Sequence, residues 1–155
     1  MNELATVREA NGVWTVPLPA SAPYPHVRFK REKSDPDYSV VVVDLNVLMM
    51  LHDRDHMSIP EPTAWPARKL EGIRNFLDPS DPGEPLMPRV SVWDAPRPGW
   101  FARLTKKTHA AVIFGNGRHR ARYLRHVGAT HIPVEVAFNS KTRLQELCGT
   151  EDRRS

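Results

Sequence analysis

The sequence predicts an α+β domain: a small mixed sheet with helices packed on it and an N-terminal extension. Three stretches carry that prediction. YSVVVV (38–43) is a β-branched run of the kind found in a buried strand, and a helical pattern follows it directly. ARKLEGIRNFL (67–77) has the apolar spacing of an amphipathic helix. AAVIF-GNG-RHRARYLRHVG (110–128) repeats the strand-to-helix order around a glycine turn. A chain of 155 residues is long enough for one domain with a real core.

Taken in order, VWTV (13–16) and HVRFK (26–30) are short candidate strands separated by the proline cluster VPLPASAPYP. Residues 1–36 are expected to form an added hairpin or arm, residues 37–149 the main domain, and residues 150–155 a flexible tail. After the strand at 38–43, Asp44 stands where a helix N-cap belongs, and Val43 and Leu48 have the spacing of a hydrophobic staple. Leu45, Leu48, Met49 and His52 then share one helix face. In the helix at 67–77, Leu70, Ile73 and Leu77 form the stripe, with Phe76 beside it, and the turn-rich DPSDPGEP stops it. LMPRVSVW (86–93) reads as a strand, APRPG as a turn toward WFARL, and KKTHAAVIF (106–114) as a segment ending in an apolar strand. IPVEV (132–136) is a further strand, and Ser140 is placed to cap a last helix, KTRLQELC, ended by Gly149.

Composition narrows the function. Hydrophobic residues make up 40% and charged residues 26%, ordinary values for a globular protein. No apolar run approaches the ~20 residues that span a bilayer, so no membrane insertion is expected. The start MNELATVREANG has no apolar h-region and is not read as a secretory signal. Cys148 is the single cysteine and cannot form an intrachain disulfide; the expected location is cytoplasmic. Net charge is +4, and its distribution is uneven, with no acidic residue between Asp94 and Glu135. That window holds Arg97, Arg103, Lys106, Lys107, Arg118, Arg120, Arg122 and Arg125. Charge of one sign over such a length favours phosphate, nucleotide or nucleic acid, although a solvated basic helix would look the same.

The glycine turn concentrates the argument. Gly115, Asn116 and Gly117 let the backbone approach a ligand closely, and the helix start behind them offers unpaired N–H groups and the positive end of a dipole. Arg118 and Arg120 add forked donors suited to phosphate oxygens, and His119 can supply a proton or a ligand nitrogen near neutral pH. Ala121, Leu124 and Val127 are placed to face the core, Gly128 to stop the helix, and Arg118, Arg122 and Arg125 to line another face. Arg122, Arg125, Lys106 and Lys107 are the candidate nucleic-acid contacts. The motif matches neither the Walker loop nor the dinucleotide fingerprint.

Gly117-Arg118-His119-Arg120, with the apolar strand before it and Leu124, Gly128 and Ile132-Pro133-Val134 after it, resembles the G-x-H-R…G…I-P-V signature of the ParB/sulfiredoxin fold. The resemblance spans most of residues 38–137. It implies a phosphate cradle at Gly117, Arg118, His119 and Arg120, with Arg120 at the signature arginine. Sulfiredoxin itself carries a cysteine where this chain has Arg118, so sulfinic-acid reduction is excluded. Many relatives carry an acid where this chain has Asn116, which weakens metal-assisted chemistry. The helix-rich DNA-reading domain of chromosome-partition relatives is not expected, because the chain ends soon after the fold. Within the superfamily the chain is similar to the plasmid fertility inhibition factors, the Osa-like group. That likeness implies an effector that blocks a conjugative, type IV secretion apparatus at its coupling ATPase, with ATPase and DNase activity reported for the group.

Two readings stay open. In one, the loop binds nucleotide or DNA and hydrolyses it with Mg²⁺ and ATP as cofactors, Glu135 and His119 being the catalytic candidates. In the other, the same basic surface binds DNA, nucleotide or a protein partner without catalysis. Glu135 alternates with Ile132, Val134 and Val136 and so points away from what they bury; the common use of such a glutamate is solvent exposure. LHDRDHM (51–57) places His52 and His56 four apart, but no further ligand is identifiable and no metal site is predicted. Trp100 and Phe101, beside Arg97 and Arg103, suit either base stacking or ordinary packing.

Overall fold

Period-two alternation and turn chemistry build two sheets in the computed structural model, which describes residues 6–31, 35–81 and 83–150. The first sheet is antiparallel, with β1 (Arg8–Ala10), β2 (Val13–Pro17) and β3 (His26–Lys30) in that order. The sequence reading held β2 and β3 but not β1. The turn joining β1 to β2 is Asn11-Gly12, with φ of 54° and 79°, the paired positive values of a two-residue hairpin.

The second sheet contains β4 (Tyr38–Asp44), β5 (Arg89–Pro96), β6 (Thr108–Asn116) and β7 (His131–Ala137), ordered β4-β7-β5-β6. β7 runs antiparallel to β4 and parallel to β5, so the sheet is mixed as expected. β5 continues past Trp93, because its pairing with β6 persists to Pro96 opposite Thr108. The helices are α1 (Leu45–Asp53), α2 (Ala67–Leu77), α3 (Trp100–Thr105), α4 (Arg118–His126) and α5 (Lys141–Cys148).

Local chemistry explains α1. Asp44 caps it by accepting from the N–H of Val47 at 3.1 Å, and Leu45, Leu48, Met49 and His52 are all buried on one face. The cap expected from Ser140 is different. Its hydroxyl accepts from the N–H of Val92 at 3.3 Å, and a 3₁₀ turn over Phe138–Ser140 leads into α5 instead. Because Val92 turns its N–H away from β6, the paired Val112 turns its carbonyl outward, to the open edge of the sheet. His52 Nδ1–H donates to that carbonyl at 3.0 Å, and Arg54 donates to the carbonyl of Ala110 at 3.0 Å. At the opposite edge Gly149 bridges Val43, and the N–H of Thr150 donates to Val42. Thr150 is thus held at the sheet edge, while the rest of the expected tail lies outside the described residues.

One hydrophobic cluster serves both sheets. Val16, Val27 and Phe29 are fully buried in it together with Val43, Leu48, Ile132 and Val134. Backbone bonds between Lys30 and both Pro85 and Met87 fasten β3 to the segment before β5. The Tyr24 hydroxyl donates to the carbonyl of Arg74 at 3.0 Å, and burial raises its pKa above the ordinary tyrosine value. Of the α2 stripe only Leu77 is fully buried; Leu70 and Ile73 are partly covered and Phe76 is half-exposed, because α2 lies over a groove rather than over the sheet. Cys148 is buried, which pushes its thiol pKa up to about 12. Among the described residues no helix is long and apolar enough to cross a membrane.

Candidate functional site

The turn between β6 and α4 is built from its neighbours on β5. Asn116 Oδ1 accepts from the N–H of Arg89 at 3.0 Å, where the β5–β6 register shifts between Arg89 and Val90. Gly117 has φ of 82°, and a Cβ there would lie 2.8 Å from both Cα and Cβ of Pro88. Only glycine fits, for conformation and for space. Gly115 is less constrained, since an added Cβ would stand an ordinary 3.6 Å from the Arg89 carbonyl. α4 then starts at Arg118 with no side-chain cap, so its first-turn N–H groups and dipole face outward from Gly117.

A cavity of about 360 Å³ opens beside this helix start, lined by Ile73, Phe76, Leu86, Gly117, His119 and Arg120. It is apolar on the α2 side and polar on the α4 side. Arg120 donates to the carbonyl of Leu86, and its guanidinium lies 5.9 Å from the Phe76 ring centroid. Burial lowers its pKa from the usual arginine value, which still leaves a cation. His119 receives a hydrogen bond from Lys69 Nζ at Nε2, 2.6 Å away, and stands edge-on to Trp65 at 5.4 Å. Burial, then the charges of Lys69 and Arg118, lower its pKa, so at neutral pH the ring is uncharged and presents Nδ1–H. Arg118 is turned aside, donating to the carbonyl of Met57 at 3.1 Å.

The second half of α4 behaves differently from the sequence reading. Arg122, expected on an open face, is only 1% exposed. It bonds Asp53 and, at 3.2 Å, Glu61, so it presents no surface to a nucleic acid. Arg125 is partly covered and also pairs with Glu61. Lys106 and Lys107 are exposed beyond the end of α3, away from the cavity lining. The structure therefore brings Gly117, His119 and Arg120 together at the cavity and separates Arg122, Arg125, Lys106 and Lys107 from it.

Glu135 lies in one row with Arg89 and Asn116 across β7, β5 and β6. It is not solvent-facing: β7 is interior and covered on both sides, and Glu135 is buried. Arg89 donates to its Oε2 at 2.8 Å from one nitrogen and 3.2 Å from another, and Arg31 stands 3.6 Å from Oε1. Arg89 also stacks over Tyr38, 3.8 Å from the ring centroid. Two guanidiniums thus more than balance the single carboxylate charge. Asn116 Oδ1 is occupied by Arg89, and among the described residues no group of three or more His, Cys, Asp or Glu side chains converges. This donor set does not fit a Mg²⁺ ion held by protein carboxylates. In LHDRDHM, α1 ends at Asp53, His52 is spent on Val112, and exposed His56 pairs with Asp55 instead.

Sequence reasoning missed Lys69, Arg89 and Arg31 as neighbours of the site. Lys69 and His119 are 50 positions apart, and Arg89 meets Glu135 at a separation of 46. No local periodicity reports such pairs.

A mixed four-stranded sheet whose edge strand enters a helix through a glycine turn, beside a half-polar cavity, defines a small α+β domain consistent with the ParB/sulfiredoxin superfamily. The chain belongs to the plasmid fertility inhibition factor family, whose model matches residues 40–149. No curated protein sequence matches it. The chain is similar in fold to the crystal structure of Oncogenic Suppression Activity Protein, a plasmid fertility inhibition factor, solved as a gold(I) cyanide derivative. That likeness has a TM-score of 0.68 at 20% identity and covers 96% of this chain and 76% of the other.

Proposed function

We propose that this chain acts as a fertility inhibition factor that blocks conjugative, type IV transfer of DNA, and that its α4 N terminus holds a phosphate group of a nucleotide or of DNA. The observation that carries the phosphate reading is the uncapped start of α4 at Gly117, opening on a cavity that also holds Arg120. Helix dipole, free N–H groups and a forked cation converge there, while Phe76 and Ile73 offer an apolar wall to a base or sugar. Family membership supports the biological role. The non-catalytic form of this reading is favoured, because Glu135 is ion-paired with Arg89 and Arg31 and the Nε2 of His119 is occupied by Lys69. A contact with the coupling ATPase of the secretion apparatus would then deliver the block.

Calorimetric titration with ATP and with a short oligonucleotide tests the loop. Arg120→Ala should weaken binding by about tenfold to a hundredfold, the usual loss for a hydrogen-bonded charge. Equal affinity of variant and wild type would refute the site. Supercoiled plasmid incubated with Mg²⁺ should stay intact with both wild type and Glu135→Gln. Nicking by wild type that Glu135→Gln abolishes would establish the hydrolytic reading instead.

A further inference from the structure

α3 is a six-residue helix, WFARLT, joining β5 to β6, and it buries none of its residues. Trp100 is 66% exposed, Phe101 68% and Leu104 71%. Phe101 and Leu104 are three apart and Trp100 and Leu104 four apart, so the three side chains form one apolar face. A face of this kind on a connecting turn, with none of the described residues burying it, is characteristic of an interaction site. Exposed Arg103, Lys106 and Lys107 rim it. The local acid Asp94 is already paired with Arg143, and among the described residues none of the three rim cations is ion-paired.

We propose that α3 is a docking knob for another protein, one that presents an apolar groove edged by acidic side chains. Three features favour that occupant. The Trp100 and Phe101 rings are in contact, with centroids 4.0 Å apart, so no base can lie between them, and Leu104, the most exposed of the three, offers nothing to a base. Arg97, the remaining cation of the turn, donates to the carbonyl of Thr108 rather than outward. Three apolar side chains on a six-residue helix also give little area to bury in a membrane surface, where binding scales with apolar area. A second copy of this chain fits poorly. Its groove of about 690 Å³ between α2, α4 and the N-terminal segment carries Glu71 and Asp78 against Arg74, a single acidic charge in excess to meet three cations. Trp and Arg are the residues that most often dominate protein interfaces, and cationic rims orient an acidic partner. The proposal goes beyond the phosphate site and does not depend on it.

The test places p-benzoylphenylalanine at position 101 of the full chain in cells carrying a conjugative plasmid, with position 50 as an exposed control. A discrete, nuclease-resistant protein adduct is expected at 101, absent at 50 and lost on combined Arg103→Glu, Lys106→Glu and Lys107→Glu substitution. The adducted protein, identified by mass spectrometry and purified, should bind wild type saturably. It should bind the Trp100→Ala, Phe101→Ala, Leu104→Ala variant at least about tenfold more weakly, with that variant's melting temperature and ATP affinity unchanged. No adduct, an adduct destroyed by nuclease, or equal binding of the variant would overturn the proposal. So would loss of binding to phosphatidylglycerol vesicles by the variant with no protein adduct. Failure of wild type to bind ATP, with the adduct intact, would remove the phosphate reading alone.

Discussion

The two ends of α4 carry the same residue type to opposite purposes. In its first turn, Arg120 reaches a cavity and a backbone carbonyl, and Gly117 leaves the helix start uncapped. Two residues later, Arg122 is sealed beneath Asp53 and Glu61, with Arg125 sharing Glu61 from outside. What separates them is the neighbouring element. The first turn faces α2 and Leu86 across open space, whereas the later residues face the end of α1 and the turn before Trp65. A burst of positive charge is therefore two devices, one we propose for a ligand and one holding α4 against its neighbours.

Substitutions separate the two ends. The largest expected effect is Arg122→Met, which leaves Asp53 and Glu61 without their buried partner. Because both acids are about half-exposed, the loss should fall below that of a fully buried pair, at about 2 kcal/mol. In a domain of this size that lowers the melting point by roughly 4–8 °C, while ATP affinity of the folded protein is retained. Gly117→Ala comes next, at about 1–2 kcal/mol. It clashes with Pro88 and should damage binding and stability together, which calorimetry and thermal melting read separately.

The pH dependence of stability comes third. His52 Nδ1 donates to Val112, so a second proton would sit on Nε2, which is buried without a partner. Burial foremost, and the charge of Arg122, lower its folded-state pKa. The unfolded chain therefore takes up the proton first as pH falls. Stability should be full above the ordinary histidine value of about 6.5, decline below it, and level off under the lowered folded value. Melting curves between about pH 5 and 7.5 should show a flatter slope for His52→Gln, and an unchanged slope would refute the assignment. The smallest effect is Arg125→Ala, a partly exposed pair whose loss should cost under about 1 kcal/mol, with no change in ligand binding.

Local signals were enough for much of this. β4, the Asp44 cap and the buried face of α1 follow from residues within one helical turn of one another, and so does the strand, glycine and helix order around Gly117. The hairpin carrying β1 was also encoded locally, in Asn11-Gly12, and went unread. The fates of Arg122 and Glu135 were not legible, because their partners are 61 or more residues away in one case and come from β5 and from Arg31, just past β3, in the other. Ser140 shows the same limit: a sound cap by its neighbours, it is claimed by Val92 from a distant strand.

The carbonyls of Ala110 and Val112 are acceptors that an incoming strand would need in order to extend the second sheet, and Arg54, at the end of α1, and His52, within it, already occupy them. Gly149 and Thr150 fill the corresponding place along β4. Neither border can template a neighbouring molecule into a continuous ribbon. An assembly at either of these borders must be selected through side chains, so it answers to shape and charge rather than to the generic stickiness of an unfinished sheet.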